Sequence, residues 1–189
     1  MYLPMVREFA HIGMPYCYRC DFDCSDGCRN CGQQYAAELE RAIEAANGEA
    51  AAFIFEPMSG ATLGAVTPPP GYLETIADIC RRRGVLLIAD EVMTGMGRTG
   101  RNFAVEHWLN STNAAPDIIV TAKGVSSGYA PLGAVVASKK VVDAIADGPG
   151  AGAFMHGFTY NAHPVSLAVG RAVLRRVKAL NLVRAADSS

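Results

Sequence analysis

The 189-residue sequence has no run of about 18 apolar residues, which argues against a membrane-spanning helix. Residues 1–14 include Pro4, Arg7 and Glu8 and lack the apolar stretch of a signal peptide, so the expected compartment is the cytoplasm. Charge of one sign is not in excess: the net charge is −1, which leaves no electrostatic footprint for nucleic acid or an anionic membrane. Internal repeats and low-complexity segments are absent too. What remains is a chain that is 50% hydrophobic and long enough for one domain with a substantial core.

Cysteine is unevenly placed. Five of the six residues fall in one segment, Cys17, Cys20, Cys24, Cys28 and Cys31. Their spacing, C-x2-C-x3-C-x3-C-x2-C, contains two C-x-x-C pairs that could ligate zinc. The seven-residue gap between the pairs is short against the usual zinc-ribbon spacing. The same stretch is dense in turn formers (Asp21, Asp23, Ser25, Asp26, Gly27, Asn30, Gly32). It therefore reads as a polar surface loop with reduced thiols, since a reducing compartment disfavours disulfides. No metal ligand is assigned. Cys80, on the apolar face of a helix, is expected in the core.

After this segment helices and strands alternate. The pattern predicts helices over 34–47, 71–83, 139–146 and 162–180, with a short one near 103–109. Strands are expected over 50–56, 85–90, 117–121 and 133–138. Leu39, Ile43 and Ala46 form the inward face of the first helix, and Leu73, Ile76, Ala77 and Cys80 that of the second. Val165, Val169, Ala172, Val173, Val177 and Leu180 align on the last. Alternation of this kind implies an α/β fold with a mostly parallel sheet flanked by helices. Residues 1–33 are taken as a Cys-rich lead-in and 34–189 as the domain.

Val85-Leu86-Leu87-Ile88-Ala89-Asp90 is a continuous apolar strand ending in an acid, suited to the middle of a parallel sheet. Its C-terminal end faces the crevice where open α/β sheets bind ligands. Lys123 stands 33 residues later, just past the next strand. A carboxylate and an amine around one small pocket suit pyridoxal phosphate (PLP), which needs a Schiff-base lysine and an acid to keep its ring nitrogen protonated. The intervening Gly95-Met96-Gly97-Arg98-Thr99-Gly100 satisfies the dinucleotide fingerprint in letters only. It does not follow its strand directly, and the next strand ends in Thr121-Ala122-Lys123 instead of an acid. These glycines are better explained by tight turns.

Asp90 stands in Ile-Ala-Asp-Glu-Val-Met-Thr-Gly-Met-Gly-Arg-Thr-Gly, and Lys123 in Ala-Lys-Gly-Val-Ser-Ser-Gly-Tyr-Ala-Pro-Leu-Gly-Ala. Both stretches resemble signature segments of the class III aminotransferases, PLP enzymes of fold type I that act on ω-amino and related amines. The likeness extends over roughly residues 10–180. It includes Phe55-Glu56-Pro57, Pro70-Gly71-Tyr72-Leu73, His156-Gly157-Phe158-Thr159-Tyr160-Asn161 and, as in some members, Pro15-Tyr16-Cys17-Tyr18-Arg19-Cys20.

The resemblance implies that Lys123 carries PLP and later moves the substrate Cα proton. It implies that Asp90 pairs with the ring nitrogen and Val92 presses on a ring face. Thr159 would reach the cofactor phosphate of a neighbouring subunit, making the enzyme a homodimer, and Glu56 would engage an arginine near the substrate carboxylate. The implied reaction moves an amino group from an amine donor to a 2-oxo acid acceptor in two ping-pong half reactions. A same-fold aminomutase or decarboxylase, and a catalytically silent fragment, are the alternatives. Family members run to about twice this length, so the sequence reads as a central part of the large domain. Lacking the phosphate-binding turn and small domain, the isolated chain is expected to associate, to bind PLP weakly and to show no transaminase activity.

Overall fold

The computed structural model describes residues 9–22, 28, 30–109, 114–148 and 154–188. Cys24 and its neighbours Asp23, Ser25, Asp26 and Gly27 lie outside these residues.

The first helix, α1 (Cys31–Ala45), begins before the expected 34, so Cys31 belongs to the helix and not to the loop. Tyr35, Leu39 and Ile43 recur every four residues and are buried together. Ala46, expected on the same face, is only half-buried past the helix end. Helix α2 (Tyr72–Arg83) presents Leu73, Ile76, Ala77 and Cys80 inward, and all four are buried. It stops at Gly84, whose φ of 71° is open to glycine at little cost, and Val85 N then donates to Cys80 O at 2.9 Å. The two helices pack side by side. Their outer edges are tied by Arg82 and Arg83 to Glu40 and by Arg83 to Glu44, while Arg82 also pairs with Asp78 within α2. Burial pushes the Cys80 thiol up to about 12, with the Asp117 charge adding to the shift, so this cysteine is an inert core residue.

Beneath the helices lies a four-stranded sheet in the order β1 (Ala52–Phe55), β2 (Leu86–Asp90), β3 (Ile118–Thr121) and β4 (Ala134–Ala137). The first three strands run parallel, and β4 closes the edge antiparallel. This is the α/β arrangement the alternation implied. The core joins α1, α2, β1 and β2, with Tyr35, Leu73 and Ile76 fully buried. Each such side chain contributes about 1.5–3 kcal/mol by leaving water.

The rest of the chain is more open. Helix α3 (Lys139–Ala146) follows β4, and α4 (Pro164–Ala179) leads to a short α5 (Leu182–Asp187) that periodicity did not reveal. The expected inward face of α4 is not a core face. Val169, Val173 and Val177 are half-buried, whereas Val165, Ala172 and Leu180 are exposed. The residues α4 does bury are Ser166 and Gly170, the latter pressed against Leu132. Apolar spacing marks a face but does not supply what covers it. The short helix near 103–109 is a single 3-10 turn, Ala104–His107. Among the described residues no helix is long and apolar enough to cross a membrane.

Candidate active site

The site is built at the C-terminal ends of β2 and β3. Alternation along β2 buries Leu87 and Ala89 on one side and leaves Leu86, Ile88 and Asp90 half-buried on the other. The same parity carries into the loop, so the neighbouring acids Asp90 and Glu91 point in opposite directions. Asp90 Oδ1 accepts one hydrogen bond, from Val92 N at 3.0 Å. Glu91 is completely buried. Its Oε1 accepts from Val105 N at 2.7 Å, and its Oε2 from Ala104 N at 3.0 Å and Thr94 Oγ1 at 2.5 Å.

One buried carboxylate thus collects three donors and fastens the Gly-rich loop to the turn that follows it. A buried charge needs such satisfaction to be tolerated. Within the loop, Gly97 and Gly100 have φ of 90° and 83°, conformations that suit glycine. The loop is a succession of turns that opens no α-helix, as expected of a stretch that is not a dinucleotide fingerprint.

The β2–β3 register sets Asp90 opposite Val120. Three residues further on, Lys123 opens a 3-10 turn, Lys123–Val125, with φ of 39°. A non-glycine residue in the left-handed region is uncommon, and such strain concentrates at functional positions. Lys123 lines a cavity of about 660 Å³ with Ser59, Gly60, Met93, Gly95 and Arg98. Asp90 is not part of that lining; it stands at the adjacent strand end. Among the described residues no hydrogen bond or ion pair engages the Lys123 ammonium, and no cation pairs with Asp90. Lys123 is exposed, so the described residues do not shut it off from water.

The other expected residues are spread around this centre. Val92 is half-buried beside Asp90. Glu56 follows β1 and is exposed; its Oε2 accepts from Gly60 N at 2.8 Å, and no arginine pairs with it among the described residues. It borders a second cavity of about 240 Å³ with Met14, Pro15, Thr62 and Tyr72, and Ser59 lines both cavities. Burial, reinforced by the Glu38 charge, raises the Tyr72 phenol well above its ordinary value and keeps it neutral. Thr159 lies in an exposed turn outside the lining of either cavity.

The class-III aminotransferase family model matches residues 2–189. The chain belongs to the class-III aminotransferases. It is 40% identical over 184 residues to the uncharacterized aminotransferase YodT of Bacillus subtilis, covering 97% of this chain and 39% of that protein. The thermostable (S)-enantioselective omega-transaminase of Thermomicrobium roseum superposes with a TM-score of 0.82 at 42% identity, over 93% of this chain and 38% of that one. The omega transaminase of Pseudomonas jessenii, solved in complex with PMP, gives 0.84 at 39% identity, again over 93% and 38%. The chain therefore spans about two fifths of the length of the relatives it matches. It is a stretch of the PLP-dependent transferase fold of type I, as the resemblance implied.

The cofactor of this family is PLP. The residues of this class-III aminotransferase chain suit it. A carboxylate and a lysine amine, neither in an ion pair among the described residues, stand at neighbouring strand ends, as a protonatable ring nitrogen and a carbonyl carbon require.

Glu91 is the residue that reading the sequence passed over. Its signal was available, because two consecutive acids at a strand end must face opposite ways, and one of them is then forced into the core.

Proposed function

We propose that the protein carrying this chain is a PLP-dependent aminotransferase (EC 2.6.1.-) that moves an amino group from an amine or ω-amino acid to a 2-oxo acid. The observation that carries this reading is that Asp90 and Lys123 stand at the ends of adjacent parallel strands in a class-III aminotransferase chain. The names of the relatives, omega-transaminase among them, support the donor class.

Lys123 anchors the cofactor covalently through Nζ. Bound PLP supplies an electron sink for the pair left on the substrate carbon. Once the substrate amine has displaced it, the freed Lys123 Nζ takes that carbon's proton and delivers it to the cofactor's carbon, the strained turn holding the amine over the cavity. Asp90 keeps the ring nitrogen protonated, and its bond from Val92 N fixes the carboxylate's orientation. Val92 covers a ring face, and Glu56 engages an arginine at the substrate carboxylate. Thr159 completes the phosphate site of a second copy in a homodimer. The exposure of Phe154, Met155, Phe158 and Tyr160 around Thr159 supports a partner-facing role for this stretch. Residues 34–189 act as part of the cofactor-binding large domain, residues 1–33 lead into it, and the setting is the cytoplasm.

Product analysis tests the reading. With an ω-amine and a 2-oxo acid, the intact protein should yield one amino acid per aldehyde or oxo product. Release of carbon dioxide, or an isomerised amine without consumption of the oxo acid, would favour the decarboxylase or aminomutase of the same fold.

A further inference from the structure

The four described cysteines of the N-terminal segment form one knot. Cys17 begins a 3-10 turn, Cys17–Arg19, and Cys20 follows it. Cys28 is held at a φ of 63°, and Cys31 is the first residue of α1, buried at its N-terminal end. The chain doubles back so that the Sγ atoms of Cys17, Cys28 and Cys31 all lie within 4.8 Å of one another. The Cys20 side chain approaches both the Cys31 thiol and the Tyr35 hydroxyl. Cys17, Cys28 and Cys31 are thiols and not disulfides.

The surroundings are built. Tyr35 is fully buried and ties the turn after Cys20 to α1, accepting from Asp21 N at 3.0 Å and donating to Asp21 Oδ2 at 3.3 Å. Phe22 packs edge-on against the Tyr35 ring at 4.7 Å. Cys20, Phe22 and Cys28 pack against the core, and Cys31 is part of it. The seven-residue gap is therefore no obstacle, since seven extended residues span about 25 Å and need only close a small loop.

We propose that Cys17, Cys20, Cys28 and Cys31 bind a structural Zn²⁺ in a tetrahedral site. Sulfurs about 2.3 Å from a tetrahedral zinc stand about 3.8 Å from each other, so the Cys17, Cys28 and Cys31 thiols, already within 4.8 Å, need only contract slightly, and Cys20 swings in as the fourth ligand. Coordination replaces the four S–H protons, which pass to solvent. The positive end of α1 faces the resulting negative cluster at Cys31. Four protein sulfurs leave no open position, so the metal's part is structural. It pins Cys17, Cys20 and Cys28 to α1, and with them Met14 and Pro15, which wall the cavity beside Glu56. The surface-loop reading of this segment gives way to a clasp.

The test is metal analysis of the intact protein purified under a non-thiol reductant without added metal. The site predicts about one zinc per chain, retained through dialysis. Cobalt exchanged into it should give the visible absorption of tetrahedral cobalt thiolate. Cys17→Ser is the informative variant, because Cys17 is exposed and its loss leaves the core intact. Zinc should fall to near zero while the circular dichroism of the helices persists. Cys24→Ser should keep the zinc. Absence of zinc, iron with acid-labile sulfide in its place, paired disulfides under the reductant, or loss of zinc in Cys24→Ser would each overturn the assignment. None of these readouts depends on aminotransferase activity.

Discussion

Helices α2 and α4 have similar apolar periodicity and opposite fates. α2 lies against α1, β1 and β2, and its apolar face disappears into the core. α4 packs on the Lys123–Val125 turn and on α5; its own Leu167 and Leu174 are open, and Val135 of the edge strand β4 is 68% exposed. The first region is closed by the chain itself. The second presents apolar surface that the chain's own elements leave uncovered, and it lies alongside the proposed cofactor side of the sheet. The buried apolar side chains are concentrated in the closed region, and the proposed chemistry and association fall to the open one.

The sharpest break in that contrast comes from the site. Asp90→Asn keeps Oδ1 as an acceptor for Val92 N, so the melting temperature should barely move. Half-reaction rates should fall at least about 100-fold, the scale of losing a positioned electrostatic partner. Near-normal rates by stopped flow would reduce Asp90 to a loop cap. In the closed region, Ile76→Ala should cost about 2–5 kcal/mol in denaturant unfolding, because it opens a cavity in a packed core. Leu174→Ala in the open region should stay within about 0.5 kcal/mol. If the two costs were similar in the intact protein, α4 would be as tightly covered there as α2.

Glu91→Gln sits between these extremes. It removes the charge that gathers Thr94 and the Ala104 and Val105 amides, and should cost about 1–3 kcal/mol.

Much of this layout is legible in the sequence. β2 and β3 fall within a residue of where periodicity puts them, which sets Asp90 and Lys123, the proposed cofactor residues, at neighbouring strand ends. The α4 face could not be read correctly, because burial depends on a covering surface that periodicity does not contain. For Glu91, strand parity shows that one of the two adjacent acids turns inward, but not which one, because its donors lie thirteen and fourteen residues away. The cysteine pairs are visible in the sequence as a possible zinc set, but spacing alone does not bring Cys17, Cys28 and Cys31 within reach of one another or tie Asp21 to Tyr35 of α1.

The smallest effect is electrostatic and lies on the outer edge of the closed region. Arg83, then Arg82, hold the Glu40 carboxyl below its ordinary value, and Arg82 does the same for Asp78. Depressed carboxylate values stabilise the fold above the ordinary carboxylate range, and that contribution is lost as pH falls through the lowered values. The pairs are exposed, so the effect should be slight and vanish in high salt. Comparing Glu40→Gln with the unaltered protein in acid unfolding at low and high salt would show it.

The account rests most heavily on Lys123 as the residue that meets the cofactor. Borohydride reduction of the PLP-loaded intact protein, followed by peptide mapping, tests this directly. The fixed pyridoxyl group should be found on the peptide containing Lys123, and Lys123→Ala should eliminate it. A label on Lys139, Lys140 or Lys178 instead would contradict the account.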